Sequence, residues 1–386
     1  MVTRRYWLSR IEQAWERRPI VWLSGVRRAG KTYLCQSIGG IEYFDCEQPR
    51  VRQQMDDPEA FLDSLRGKRL ALDEVHRLRN PSELLKIAAD HFLDIKIVAT
   101  GSSTLEASAV FKDTLTGRKS NVWLTPLNQA DLADFESDDL RRRLVHGGLP
   151  PFFLDDEPQP DDYLEWLDSY WAKDVQELFR LERRRPFEQL LELLFASSGG
   201  IFEATRYAAA CEISRQTVSN YLGVLEASRV VHVIRPFSRR QSAEIVSAPK
   251  VYGFDSGFVR YFQGWRELRP EDLGLLWEHY VLNEVQSLTQ QQNVLYWRDK
   301  RGHEIDFVCV PRGQSPIAIE CKWQASAWTS RQLKAFRFRY PDGENWVVGA
   351  DVQRPYTKRV AGLVVQFLGT GDLSARMSSQ PSLAGG

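Results

Sequence analysis

Between Gly25 and Thr32 the chain reads Gly-Val-Arg-Arg-Ala-Gly-Lys-Thr, a complete G-x-x-x-x-G-K-T. Glycines at this spacing let the backbone wrap so that successive N–H groups converge on an anion, with a helix N-terminus behind them. Lys31 then reaches the β- and γ-phosphates of a nucleotide, and the Thr32 hydroxyl serves Mg²⁺. The chemistry predicted is binding of ATP with Mg²⁺, through Gly25, Arg27, Ala29, Gly30, Lys31, Thr32 and Tyr33. A chance G-K-T in a turn would lack the flanking pattern. Here an apolar run over residues 20–23 precedes the loop and helix-forming residues follow it.

A second pair of reactive groups, Asp73 and Glu74, ends the apolar run that starts at Arg69. Unpaired buried carboxylates are costly, so a buried strand that ends in two of them asks for a reason. Beside a phosphate loop, Asp73 holds the Mg²⁺ shell and Glu74 polarises the attacking water. The run over residues 95–99 leads into Thr100-Gly-Ser-Ser103, whose hydroxyls suit the orientation of that water. Arg118 follows in Leu115-Thr-Gly-Arg118 and, on spacing alone, reads as a surface arginine. In a loop it is also placed to reach a neighbouring subunit's nucleotide, where an arginine supplied in trans stabilises the transferring phosphoryl group.

A third constellation lies far downstream. Side chains alternate along a strand, so Glu304, Asp306 and Val308 are expected on one face and Ile305, Phe307 and Cys309 on the other. Glu320 and Lys322 share a face with Ala318, opposite Ile317, Ile319 and Cys321. Adjacent strands would bring Asp306, Glu320 and Lys322 together, two carboxylates for a divalent ion and a lysine to position water. The preceding helix carries Glu278 and Glu284, six residues apart and so on different faces; Glu278 is the one expected to join the site. An E-x-K in a strand is also commonplace as alternating charge on a solvated face.

The positioning elements follow from periodicity. Residues 4–17 form a helix with Trp7, Ile11 and Trp15 on one side, and residues 41–45, 69–73, 95–99 and 121–124 are strands alternating with helical stretches. His146-Gly-Gly-Leu-Pro-Pro151 breaks the chain before a helical run over residues 163–181. A helix closed by Ser197-Ser-Gly-Gly200, a short helix over residues 204–211, a third helix capped by Ser214, and a strand over residues 229–236 follow in the order of a winged helix-turn-helix. The third helix presents Arg215, Gln216, Thr217, Ser219 and Asn220, types that contact phosphates and base edges of DNA. The same module also serves as a protein–protein contact.

At 386 residues the chain suits two or three domains, and 43% hydrophobic with 26% charged residues is a globular rather than a disordered balance. Acidic and basic residues number 51 each, so overall charge selects no partner. The five cysteines, Cys35, Cys46, Cys211, Cys309 and Cys321, form no C-x-x-C, which argues against a zinc ribbon and for free thiols in a reducing compartment. The basic N-terminus lacks an apolar core and no run is long enough to span a bilayer, so a cytoplasmic, membrane-free location is expected. Residues 369–386, rich in Gly and Ser, read as a disordered tail.

The set GVRRAGKT, LALDEVHRL, VATGSS, LTGRKSNVWLTPL and HGGLPPF, in this order, resembles a family of prokaryotic AAA+ ATPases over nearly the whole chain. The resemblance implies sensor roles for Ser102 and Ser103, a finger role for Arg118, and a homo-oligomer, typically a hexameric ring. His76 departs from the family pattern. The Asp…Glu-x-Lys arrangement is similar to the PD-(D/E)xK nuclease fold, in particular to archaeal Holliday-junction-resolvase-like domains. The expected fold class is multidomain α/β: an AAA+ P-loop core (residues 1–135), a helical lid (136–184), a winged helix-turn-helix (185–245) and a nuclease-like domain (246–368). The expected function is ATP-driven binding and remodelling of branched or forked DNA, with possible metal-dependent cleavage. The alternative is a nucleotide-dependent switch whose winged helix and inactive nuclease fold serve transcriptional or protein docking.

Overall fold

The computed structural model describes residues 2–101, 109–176, 179, 181, 183–238, 248–290 and 293–378. Its first sheet is parallel and built from β1 (Ile20–Ser24), β2 (Ile41–Asp45), β3 (Arg69–Asp73), β4 (Lys96–Thr100) and β5 (Lys119–Trp123), in the order β2-β3-β4-β1-β5. The strands are near-continuous apolar runs because both faces are covered. Val21, Leu23, Ala71 and Val98 pack on one side with Trp7, Ile11 and Trp15 of helix Arg5–Arg17. Ile20, Trp22, Leu70, Leu72 and Ile97 pack on the other with Leu84, Leu85 and Phe111. Because β1 lies between β4 and β5, the loop leaving its end emerges at mid-sheet beside the end of β4 and next but one to β3. That placement brings the two sequence motifs together.

The second sheet has nine strands among the described residues, ordered β13-β14-β12-β11-β10-β9-β7-β8-β6. They are β6 (Gly200–Ile201), β7 (Val231–Pro236), β8 (Lys250–Gly253), β9 (Leu295–Arg298), β10 (Glu304–Cys309), β11 (Ile317–Lys322), β12 (Asn345–Gly349), β13 (Tyr356–Val360) and β14 (Leu363–Leu368). β7 and β8 form an antiparallel pair, while β7 also pairs in parallel with β9 through Arg235–Leu295 and Pro236–Tyr296. The boundary expected at 245/246 therefore falls between two strands of one ladder, and the hairpin that follows helix Arg215–Ala227 continues into the C-terminal sheet. Strand pairing, which sequence periodicity does not report, joins what composition separates.

Helix Pro270–Thr289 crosses the second sheet and is buried along most of its length. Helix Thr370–Ser378 packs on it, with Leu373 and Met377 buried in the same cluster. This corrects the expectation of a disordered tail from residue 369: two apolar residues at helical spacing suffice when a neighbouring helix offers a groove. Residues 379–386 lie outside the described set.

The two halves are locked at the His146–Pro151 break. The Asp255 carboxylate accepts hydrogen bonds from the backbone N–H of Gly148 (2.6 Å) and Gly257 (2.9 Å). Buried Arg143 donates to the Leu127 carbonyl (2.7 Å) and to the Ser256 hydroxyl (3.1 Å), with Asp255 at 4.0 Å. The Gly-Gly pair is thus an interface feature rather than a simple linker.

Candidate functional site

The loop after β1 turns at Gly25, where a Cβ would stand 2.5 Å from the Leu124 carbonyl oxygen. It closes at Gly30, whose φ of 96° caps helix Lys31–Gln36. The Lys31 ammonium folds back over the loop and donates to the carbonyls of Gly25 (2.8 Å) and Val26 (3.3 Å). The Thr32 hydroxyl donates to Asp73 Oδ2 at 2.7 Å, and so does the Tyr43 hydroxyl at 2.7 Å. The other Asp73 oxygen accepts from the Thr100 hydroxyl, whose Oγ1 in turn accepts from the Glu74 N–H at 2.9 Å. Thr100, the first residue of the expected sensor segment, thereby ties Asp73 to Glu74. Ser102 and Ser103 lie outside the described residues.

Glu74 adopts left-handed backbone, φ 55° and ψ 47°. For a non-glycine residue this costs roughly 1–3 kcal/mol, a strain that clusters at functional sites. His76 Nδ1 stands 3.1 Å from Glu74 Oε2. Burial pushes the Glu74 carboxyl upward, but the His76 contact and the charges of Lys31 and Arg27 outweigh it and leave the group below the ordinary glutamate range. His76, to which the sequence assigned no role, is the side chain against the carboxylate expected to activate water.

These groups line a cleft of about 660 Å³. Gly25, Arg27, Gly30, Lys31, Thr32, Tyr33, Asp73 and Glu74 form one wall, and Pro150, Pro151, Tyr170, Lys173, Asp174, Ser228 and Val230 form the other. The far wall clasps the loop: Arg27 pairs with Asp174 at 2.9 Å, Arg28 pairs with Glu165, and the Trp166 indole donates to the Arg27 carbonyl at 3.2 Å. Where the sequence predicts one helix over residues 163–181, the structure has helix Pro160–Tyr170 followed by a π-helical turn over Trp171–Gln176. Such turns mark functional sites, and this one places Lys173 and Asp174 on the cleft.

Arg4 is a further residue that sequence reasoning missed. It is buried and bidentate to Asp131 (2.9 and 2.5 Å), and it donates to the carbonyls of Ala29 (2.9 Å) and Thr125 (3.0 Å). It braces the phosphate loop from below, and Ala29 contributes through this carbonyl while its own side chain is buried. A short basic N-terminus gives no hint of such a role, because its partner lies 127 positions away.

Arg118 makes a bidentate pair with Asp90 (2.6 and 3.0 Å) and donates to the Thr114 carbonyl at 3.1 Å. It is absent from the lining of the cleft. On helix Arg215–Ala227 the Ser214 hydroxyl caps the N-terminus, accepting from Thr217 N at 3.1 Å. Arg215, Gln216, Ser219 and Asn220 are exposed, and Gln216 donates to Asn220 at 3.0 Å. Thr217 is half-buried, with its hydroxyl 2.9 Å from that of Ser214.

The third constellation assembles differently from the expected alternation. β10 shifts register against β9 between Ile305 and Val308, so Ile305 and Val308 pack in one cluster while Phe307 and Cys309 pack in another. Glu278, Asp306 and Lys322 line a cavity of about 290 Å³ together with Gly274 and Cys321. Lys322 Nζ lies 3.7 Å from Asp306 and 3.6 Å from Glu320. Asp306 Oδ2 also accepts from the Cys321 N–H (2.7 Å), and Glu320 accepts from the Trp328 indole (2.9 Å). Glu284 faces away, accepting from Gln129 N at 2.7 Å. Among the described residues no group of three or more His, Cys, Asp or Glu side chains is arranged to hold a metal. Lys250 is buried and bonded to Glu304. Its burial removes it from any phosphate contact, because β8 is an inner strand between β7 and β6.

Residues 17–133 match the family model described as an AAA domain. Residues 137–269 and 273–364 match two models each described as a domain of unknown function, DUF8612 and DUF4143. An uncharacterized protein of Mycobacterium tuberculosis is 26% identical over 347 residues, covering 87% of this chain and 77% of its own. One of Methanocaldococcus jannaschii is 24% identical over 348 residues, covering 81% and 76%. Among solved structures, the Walker-type ATPase of Pyrococcus abyssi aligns with a TM-score of 0.43 at 16% identity, over 69% of this chain and 96% of that one. No helix among the described residues is long and apolar enough to cross a membrane. The AAA-domain match falls on the parallel sheet that carries the phosphate loop and the Asp73–Glu74 pair, so residues 17–133 are a P-loop ATPase domain of the AAA type.

Proposed function

We propose that the chain hydrolyses ATP in the Lys31–Asp73–Glu74 cleft and couples that turnover to DNA, branched or forked duplex being the expected substrate. The observation that carries the hydrolytic half is the convergence of Lys31, Thr32, Asp73 and Glu74 on one cavity. Thr32 and Asp73, already in contact, are the residues that would hold Mg²⁺, whose charge would neutralise the β- and γ-phosphates. Lys31 neutralises the phosphates from the loop side, and Glu74 accepts the hydrogen bond of the attacking water.

The DNA half rests on the exposed polar face of helix Arg215–Ala227, which lies directly before Ser228 and Val230 on the cleft wall. A nucleotide in the cleft therefore touches the root of the helix that would read DNA. ATP turnover measured with duplex, single-stranded, forked and four-way DNA tests this coupling. Stimulation by one class supports it; slow turnover unmoved by any DNA, with tight nucleotide retention, points to the switch instead. Arg215→Ala is expected to weaken DNA binding by a few-fold and to flatten its dependence on salt, since one neutralised phosphate contributes a slope of about 0.9 in log–log terms. An unchanged slope would remove Arg215 from the interface.

The oligomeric half rests on Arg118, which stands outside its own cleft on the Asp90 pair. Delivered to a neighbour, an arginine of this kind is worth about 10³–10⁵ in turnover. Arg118→Ala should keep nucleotide affinity and lose hydrolysis. Mixing it with a Lys31→Ala protein should restore part of the activity, since the Lys31→Ala subunit still donates Arg118 to an intact phosphate loop. Full turnover by Arg118→Ala at concentrations where the chain is monomeric would refute the ring.

A further inference from the structure

Four carboxylates, Glu278, Glu304, Asp306 and Glu320, gather where β8, β10, β11 and helix Pro270–Thr289 meet. The Asp…Glu-x-Lys pattern implies a divalent metal among them. We infer that this metal is replaced by two resident ammonium groups, Lys250 against Glu278 and Glu304 and Lys322 against Asp306 and Glu320, which together exclude a divalent ion.

Lys250 projects from β8, and its side chain is only 7% exposed. Its Nζ is bonded to Glu304 Oε1, lies 3.8 Å from Glu278 Oε1, and donates to the Tyr252 hydroxyl at 3.4 Å. Tyr252 in turn donates to Glu278 Oε1. Lys322 performs the same service for Asp306 and Glu320, and Arg298 stands 3.8 Å from Glu304. Every carboxylate is therefore committed: Glu278 to Tyr252 and Lys250, Glu304 to Lys250 and Arg298, Asp306 to the Cys321 N–H and Lys322, Glu320 to Trp328 and Lys322.

The charge count agrees. Four acids, Glu278, Glu304, Asp306 and Glu320, face three cations, Lys250, Lys322 and Arg298, which leaves at most one charge uncompensated. The cluster is near neutral without any ion. Mg²⁺ demands close octahedral oxygen ligation at about 2.0–2.1 Å, and Ca²⁺ demands six to eight oxygens at about 2.3–2.6 Å. Either would have to enter beside two ammonium groups and strip the carboxylates of their present donors. Lys250 cannot swing aside to admit one, because β8 pairs with β7 and β6 and the side chain is enclosed. The same residue ties the hairpin behind helix Arg215–Ala227 to the C-terminal sheet, so the network that closes the metal position also clamps two regions of the chain. This inference does not rest on ATP hydrolysis.

The test is a Mn²⁺ titration of the full chain followed by electron paramagnetic resonance, in an Asp73→Asn background so that the nucleotide cleft contributes no ion. With Lys250 present, no stoichiometric binding that depends on Asp306 is expected. Lys250→Met should gain one Mn²⁺, bound at least tenfold tighter than any residual binding in the parent. That ion should be lost on adding Glu278→Gln or Asp306→Asn, and the melting temperature of Lys250→Met alone should rise with Mn²⁺. If Lys250→Met does not fold, Lys250→Gln, which keeps a donor toward Glu304 without the charge, carries the same expectation. One Mn²⁺ bound by the Lys250-containing protein and lost in Asp306→Asn overturns the inference. So does a folded, charge-free variant at position 250 that gains no ion.

Discussion

Lys31→Ala is expected to reduce ATP turnover at least a hundredfold and to weaken ATP binding more than binding of adenosine. Among the described residues the ammonium is paired with no carboxylate; it rests on two backbone carbonyls of its own loop, those of Gly25 and Val26. Those neutral partners are weaker than an ionised phosphate, since charge-assisted hydrogen bonds are roughly twice as strong as neutral ones. A triphosphate therefore draws the lysine out of the loop without breaking an ion pair. The alanine variant leaves the loop itself supported, because Arg4 holds the Ala29 carbonyl and Asp174 holds Arg27. The loss is then electrostatic rather than a collapse of the fold. Removing one fixed donor from a transition-state charge costs about 10²–10³ in rate. Turnover and calorimetric titration with ATP check both parts, and unchanged affinity for ATP would show that the loop does not grip phosphate through Lys31.

That Lys31, Thr32, Asp73 and Glu74 meet at one cleft was legible in the sequence because its signals are local. Gly25 to Thr32 are contiguous, and the apolar runs before them and before Asp73 have the short length of buried strands. What binds those pieces together was not legible. Tyr43 and Thr100 converge on Asp73, Asp131 anchors Arg4, and Asp174 meets Arg27; each pairing depends on strand order or on a helix folding back over the loop. Single-residue patterns say nothing about such distances. The π-helical turn at Trp171–Gln176 was hidden for a related reason, since its apolar residues satisfy ordinary helical spacing as well.

The C-terminal half shows the same limit more sharply. The period of two correctly grouped Glu320 and Lys322, but one bulge in β10 moved Phe307 and Cys309 to a different cluster from Ile305. The choice of Glu278 over Glu284 matches their placement, Glu278 on the cavity and Glu284 on the backbone of Gln129. The burial of Lys250 was not legible, because nothing in a lysine flanked by Pro249 and Val251 reports it. Only the pairing of β8 inside the sheet reveals it as the partner of Glu304 and Glu278.

Glu74→Gln is the variant in which binding and chemistry should separate most cleanly. The substitution keeps the size of the side chain and its strained left-handed backbone, and it leaves the Thr32–Asp73 contact untouched, so ATP affinity should be preserved. An amide does not accept a proton from water, and a positioned general base contributes about 10²–10⁴ in rate, so hydrolysis should fall by that factor. The environment of Glu74 favours the ionised form: burial works against it, but the His76 contact and the charges of Lys31 and Arg27 prevail. Because the carboxyl lies below its ordinary range, the base stays deprotonated throughout neutral pH, and the acid limb of the rate profile should fall below the pH at which a free glutamate titrates. His76→Ala removes the nearest of those influences and should shift that limb upward, leaving the rate on the plateau within a few-fold of the parent. The measurements are turnover against pH for the parent, Glu74→Gln and His76→Ala, each with ATP affinity determined in parallel. Hydrolysis by Glu74→Gln at the parental rate would place the base elsewhere in the cleft, and an acid limb unmoved by His76→Ala would detach His76 from Glu74.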